Sequence, residues 1–137
     1  MPTQIMATVT QTGASSSEVA IRGHSVAVDR PAAKGGTDAG PMGGELLLGA
    51  LGGCFMSTLL AAIAAREVGV SEVVVTVEGT LEDAPSRFTA ATLHVRARCE
   101  DAAALAKLVA MAERGCIVAN TLRGALGVTF TSEAVPS

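Results

Sequence analysis

Apolar and polar residues alternate through much of this chain, and the places where the alternation stops are as informative as the runs themselves. Ala7–Thr12 and Glu18–Asp29 are short alternating runs, with Val19 and Ile21 on one face and Val26 and Val28 on one face after a break at Gly23-His24. A period of two marks a half-buried strand, so these runs predict two or three antiparallel strands joined by turns rich in Gly and Ser. Arg30 to Gly44 (RPAAKGGTDAGPMGG), with five glycines and two prolines, predicts a loop. A long helix then starts near Glu45 and ends before Gly69, a natural C-terminal stop.

Ser71–Leu81 alternates again, with Val73, Val75 and Val77 inward, and Phe88–Arg98 answers it with Ala91, Leu93, Val95 and Ala97 inward. A short link containing Pro85 makes a hairpin the simplest pairing. Glu100 and Asp101 sit where acidic groups favour a helix N-terminus, and Leu105, Leu108, Val109 and Ala112 form the apolar stripe of the helix that follows. Gly115 interrupts, Cys116–Leu122 continues as a second short helix capped by Gly124, and Leu126, Val128 and Phe130 close the pattern as a strand. The order predicts an α+β fold rather than a doubly wound one, in a single domain over residues 1–137.

Leu46 to Ala65 runs twenty residues without a charge, the length of a membrane span, and holds a Gly49-x-x-x-Gly53 pair. Neither flank carries a Lys/Arg cluster, and the chain has no Trp or Tyr to anchor an interface. A helix that is apolar on every side is also the signature of a buried central helix. The expectation is a buried helix in a soluble protein with no membrane partner.

Composition sharpens this picture. Of 137 residues, 49% are apolar and 17% charged, which excludes disorder, yet the apolar residues are mostly small and only three are Phe. Small side chains bury little area each, at about 25 cal/mol per Å², so an oligomer that adds apolar burial is expected. A net charge of −3, one lysine before residue 100 (Lys34) and scattered arginines argue against nucleic acid. Three widely spaced cysteines, Cys54, Cys99 and Cys116, make a poor disulfide framework, and no signal-peptide pattern opens the sequence. A reducing, cytoplasmic setting is the expectation.

The candidate chemistry narrows to thiols. Neither C-x-x-C nor H-x-x-x-H occurs, and the cysteines with His24 and His94 lack paired ligand spacing, so no metal or other cofactor is expected. No G-x-S-x-G elbow is present, and the glycine loop lacks a P-loop ending and reads as a turn-rich lead into a helix. Cys54 and Cys116 can be core residues or reactive thiols. A reactive thiol needs a cation or a helix N-terminus. Cys116 has access to a helix N-terminus; Cys54, over two turns into its helix, needs a cation, for which Arg22, Arg30 and Arg123 are candidates. Cys99, beside Glu100 and Asp101, is the least suited.

The stretch GTDAGPMGGELLLGALGGCFMSTLLAAIA resembles the glycine loop and central helix of the OsmC/Ohr family, the osmotically inducible and organic hydroperoxide resistance proteins. ERGCIVANTLRGALGVTF resembles that family's second cysteine motif and the strand after it. The resemblance implies antiparallel sheets around a long buried central helix, in an intertwined homodimer with sites at the subunit interface. It implies a thiol-dependent peroxidase in which Cys54 attacks an organic hydroperoxide and Cys116 resolves the product as a disulfide, with a cellular dithiol as reductant. Three positions depart from the family pattern. The activating Glu position falls on Gly44, with Glu45 one residue late and half a turn out of phase with Cys54 at about 100° per residue. The N-terminal Arg has only Arg22 or Arg30 as stand-ins, and Ile117 replaces a frequent proline. These departures point to an OsmC-like subgroup, and the alternative is a non-catalytic dimer that binds small molecules or senses thiol oxidation.

Overall fold

In a computed structural model describing residues 1–137, β1 (Thr8–Gln11), β2 (Ser17–Ile21) and β3 (His24–Val28) form an antiparallel meander in the order β1-β2-β3. Arg22 and Gly23 make the two-residue turn between β2 and β3, both with positive φ, as a hairpin whose turn follows the strand twist requires. These elements belong to the first of two units, Met1–Leu47; the second is Leu48–Ser137.

What organises the first unit after β3 is one carboxylate. Asp29 is buried, and its oxygens accept hydrogen bonds from Ser15 Oγ (2.8 Å), Arg30 N (2.7 Å), Thr37 N (3.1 Å), Thr37 Oγ1 (2.7 Å) and Ala39 N (3.1 Å). The glycine-rich loop is thereby folded around a single anion, with Gly40 passing so close to the Ala27 carbonyl that no Cβ fits there.

Helix α1 (Gly43–Arg66) begins in the first unit and supplies the centre of the second. Leu51, Phe55 and Leu59, spaced four apart, are fully buried and meet the inner face of the sheet β4 (Val70–Glu82), β5 (Arg87–Cys99) and β6 (Gly127–Val135). Phe55 stacks at a tilt on Phe130 with ring centroids 5.0 Å apart. Gly52 lets the helix close on β4: an added Cβ would lie 2.9 Å from Val77 Cγ2. β4 and β5 form the expected hairpin, with Ala91, Leu93, Val95 and Ala97 buried. Asp101 caps α2 (Ala102–Gly115) by accepting from Ala104 N, and the stripe Leu105, Leu108, Val109 and Ala112 is buried as its spacing predicts.

Two expectations need correction. The sheet is mixed, because β6 lies parallel to β5, with Leu93 opposite Phe130. Parallel neighbours need a crossover, and α2 with α3 (Ile117–Leu122) supplies it. Nor is α1 buried on every side. Gly49, Ala50, Gly53, Ser57, Leu60 and Ala61 are exposed, Leu60 at 49%. By length and composition the helix could cross a membrane, but Leu51, Phe55 and Leu59 are spent on the sheet, and what it leaves outside is mostly small residues, together with Leu47 and Leu60.

The outer face of the sheet is a polar ladder. Arg98 pairs with Glu72, Arg96 with Glu133 (3.9 Å), His94 with Glu78 (3.6 Å), and His94 Nδ1 meets Thr131 Oγ1 at 2.8 Å. Exposed pairs of this kind contribute little to stability individually.

The hydroxyl of Thr37, then that of Ser15, then the Ala39 and Arg30 amides hold the Asp29 carboxyl far below the usual carboxylate range. A depressed pKa contributes stability above the unfolded value of about 4, and that contribution fades as pH falls through the folded value. Asp29→Asn should therefore lower Tm at neutral pH and flatten the acid side of the Tm–pH curve. A variant whose curve overlies that of the wild type would exclude this role.

Candidate functional site

Cys54 lies in α1 immediately before Phe55, at the edge of the buried stripe, and is half-buried. Its carbonyl accepts a hydrogen bond from Thr58 Oγ1 at 3.1 Å, one turn on. Cys116 is fully buried at the junction of α2 and α3. It is the N-cap of α3, its Sγ accepting from Ala119 N at 3.5 Å. Gly115 lets this junction approach α1, since a Cβ there would stand 3.0 Å from Thr58 Cγ2.

The structure thus brings the two cysteines together: Cys54 lies close enough to act on the Cys116 thiol, and both remain free thiols. Cys99 is placed elsewhere, at the end of β5, with its Sγ donating to the Asp101 carbonyl at 3.3 Å. It packs in the core and joins no site.

The electrostatics of the pair correct the sequence argument. Cys116 has the helix N-terminus that could lower its pKa, but burial raises it and prevails over the Ala119 and Val118 amides, which lower it. The Cys54 sulfur beside it raises it further. Cys116 is consequently a thiol held toward its protonated form.

The candidate activating residues fall differently. Glu45 occupies the first turn of α1, and its Oε1 accepts from Met42 N at 2.8 Å, the reach-back half of a capping box. α1 is helical from Gly43, so the irregular start that Glu45 would need to turn toward Cys54 does not occur. Arg22 stands at the tip of the β2–β3 turn, and Arg30 follows Asp29 in the loop of the first unit. The Arg123 guanidinium is committed to Asn120 and Glu113. Asp29, Asn120 and Arg123 are the polar organisers that the pattern did not single out in these roles; the one cue was an Asn inside a helix, where it is disfavoured.

Beside α1, Leu48, Gly52, Met56, Val75 and Val77 line an apolar hollow of about 420 Å³. No cluster of three or more His, Cys, Asp or Glu side chains could hold a metal ion.

An α+β fold with two thiols in contact at the edge of its core helix defines a dithiol protein. The family model described as OsmC-like protein matches residues 35–131, and the chain belongs to that family. Solved structures agree. An OsmC-like protein from Mycoplasma pneumoniae superposes with a TM-score of 0.85 at 19% identity, covering 98% of this chain and 99% of that one. An organic hydroperoxide resistance protein from Elizabethkingia anophelis gives 0.76 at 23% identity, covering 98% and 100%. The organic hydroperoxide resistance protein OhrB of Bacillus subtilis gives 0.67 at 22% identity, covering 93% and 98%. At these identities the likeness establishes the fold. No curated protein sequence matches the chain.

Removing Cys54 should release Cys116 from the neighbouring sulfur that raises it, leaving burial as the raising influence. In Cys54→Ala, the ultraviolet thiolate titration of Cys116 should move to lower pH than its step in the wild type. An unmoved titration would mean that the two sulfurs are not coupled. The same sign governs stability: a thiol raised by folding contributes below the unfolded thiol's pKa, and that contribution is lost as pH rises through the folded value.

Proposed function

We propose that this protein is a thiol-dependent peroxidase that reduces organic hydroperoxides, with Cys54 as the attacking residue and Cys116 as the resolving one. The observation that carries this reading is the contact between the two free thiols within the OsmC-like fold. The Cys54 thiolate attacks the outer oxygen of the hydroperoxide; the O–O bond breaks, and the alkoxide leaves as an alcohol after taking a proton. Cys54 becomes a sulfenic acid. Cys116 then attacks the Cys54 sulfur, the S–OH bond breaks, and water leaves as the disulfide forms. A cellular dithiol returns both cysteines to thiols by exchange and is itself oxidised to a disulfide.

The polarity of the pair suits this order of events. A Cys116 kept neutral by burial does not compete for the peroxide, yet it stands ready to resolve the product. The apolar hollow beside α1 suits a hydrocarbon substituent better than hydrogen peroxide. A dithiol that must be re-reduced after each turnover suits a reducing compartment, and we place the protein in the cytoplasm.

The working form in this reading is a homodimer. The exposed face of α1 presents Gly49, Gly53 and Ala61 with Leu60, and Val9, Ile21 and Val26 are exposed on the β1–β3 meander. Small residues allow two helices to approach closely, and a second copy would take this apolar area out of water. Leu60→Glu should then convert a dimer to a monomer in sedimentation velocity, with a secondary-structure spectrum like that of the wild type. A wild type that sediments as a monomer at micromolar concentration would overturn the dimer.

Activity is tested by adding one equivalent of cumene hydroperoxide to the reduced protein without dithiothreitol. Stoichiometric disulfide should form in the wild type and be absent from both Cys54→Ser and Cys116→Ser, with a trappable sulfenic acid only in the latter. Thiols that survive in the wild type would reject the peroxidase and leave a binding or sensing role for the family fold.

A further inference from the structure

The junction that carries Cys116 is closed by polar contacts that the thiol chemistry leaves unexplained. Arg123, directly after α3, donates from Nη1 to Asn120 Oδ1 and from Nη2 to the Glu113 carbonyl at 3.3 Å, with Nη2 also 3.6 Å from Glu113 Oε2. Asn120 in turn donates from Nδ2 to the Arg114 carbonyl at 3.1 Å. Two side chains at the C-terminal end of α3 therefore hold two carbonyls at the end of α2. The segment enclosed is Gly115-Cys116, where Cys116 N donates to the Glu113 carbonyl at 3.4 Å and the Cys116 carbonyl accepts from Asn120 N at 3.0 Å.

Stability is a weak explanation for this arrangement. Arg123 and Glu113 are each partly exposed, a setting in which an ion pair adds little, and carbonyls at a helix end can be satisfied by water. Geometry is a stronger one. Closing a disulfide draws the two sulfurs to about 2.05 Å, so Cys116 Sγ must shift relative to the Ala119 amide it now caps. α3 has only six residues and would otherwise absorb that movement itself.

Resting on the peroxidase reading above, we propose that Arg123 and Asn120 are positioning residues for the resolving step. They clasp α3 to the end of α2, so that Cys116 stays against Cys54 while the disulfide forms. Resolution races a second hydroperoxide, which would carry the Cys54 sulfenic acid on to sulfinic acid with loss of another alcohol. The clasp thus sets how much peroxide the protein tolerates before it is inactivated, and small losses of alignment have large effects on such intramolecular steps.

The test mixes full-length Arg123→Gln and Asn120→Ala with cumene hydroperoxide and follows two rates. Hydroperoxide consumption in the first turnover should stay within about twofold of wild type, whereas disulfide closure, which is independent of hydroperoxide concentration, should slow by about tenfold or more. Sulfinic acid at Cys54, read by mass spectrometry, should rise with hydroperoxide concentration in the variants first. Arg123→Lys, which keeps the charge but not the fork, should fall between. Unchanged closure overturns the proposal, and so does a lowered Tm with closure intact, since that is the mark of a purely structural cap. Should Arg123→Gln or Asn120→Ala fail to fold, Arg123→Lys and Asn120→Asp replace them under the same criteria; Asn120→Asp keeps the acceptor for Arg123 and loses the donor to Arg114. If the wild type leaves hydroperoxide unconsumed, the peroxidase reading fails by itself. Closure is then started with glutathione disulfide: Cys54 displaces one glutathione, and Cys116 displaces the second from the mixed disulfide. Slower release of the second glutathione in the variants would still support the clasp, and equal release would overturn it.

Discussion

Leu51, Phe55 and Leu59 seated on the inner face of β4–β6 are the contact from which much of the second unit follows. Fully burying each such side chain contributes about 1.5–3 kcal/mol. That stripe fixes the rotation of the helix about its axis. Once the rotation is fixed, Cys54, one residue before Phe55, lies at the boundary between buried and exposed, and Thr58 one turn later faces Gly115. The thiol pair is thus a consequence of packing: a rotation of α1 by one residue would take Phe55 off the sheet and move Cys54 relative to the α2–α3 junction.

The same rotation explains the long uncharged run. Periodicity could not separate a fully buried helix from one that buries a single stripe of large residues and leaves small ones outside, because both lack charges over twenty positions. The distinguishing property is size. Large residues at Leu51, Phe55 and Leu59 alternate with Gly49, Gly53 and Ser57, and only contact with the sheet decides which group goes inward.

Local signals elsewhere were legible because each rests on neighbours in sequence. The alternation of Ala91, Leu93, Val95 and Ala97, the stripe from Leu105 to Ala112, and Asp101 as a helix cap each require only the next few residues to be right. The parallel pairing of β6 with β5 depends instead on where a crossover of two helices returns the chain, which no window of ten residues encodes. Asp29 was invisible for the same reason: its partners Ser15, Thr37 and Ala39 lie far from it in sequence, and they turn a strand-ending carboxylate into the centre of a loop. The cysteine motifs were legible as motifs, but the sign of the Cys116 shift was not. A helix N-terminus and a buried position push a thiol in opposite directions, and only the fold settles that burial prevails.

That outcome divides labour between two residues that look equivalent in sequence. Two thiols in contact cannot both be charged without repulsion, so whichever is more deeply buried is held neutral. Here that residue is Cys116, whose sulfur is also tied to the Ala119 amide and whose backbone is tied to Glu113 and Asn120. Cys54 is only half-buried and keeps its sulfur at the boundary with the exposed face of α1. Glu45, spent on capping α1 through Met42, leaves that asymmetry as the feature at the site that ranks the two sulfurs. The polarity of the dithiol is therefore built from depth, which outweighs the opposing pull of the Ala119 and Val118 amides on Cys116.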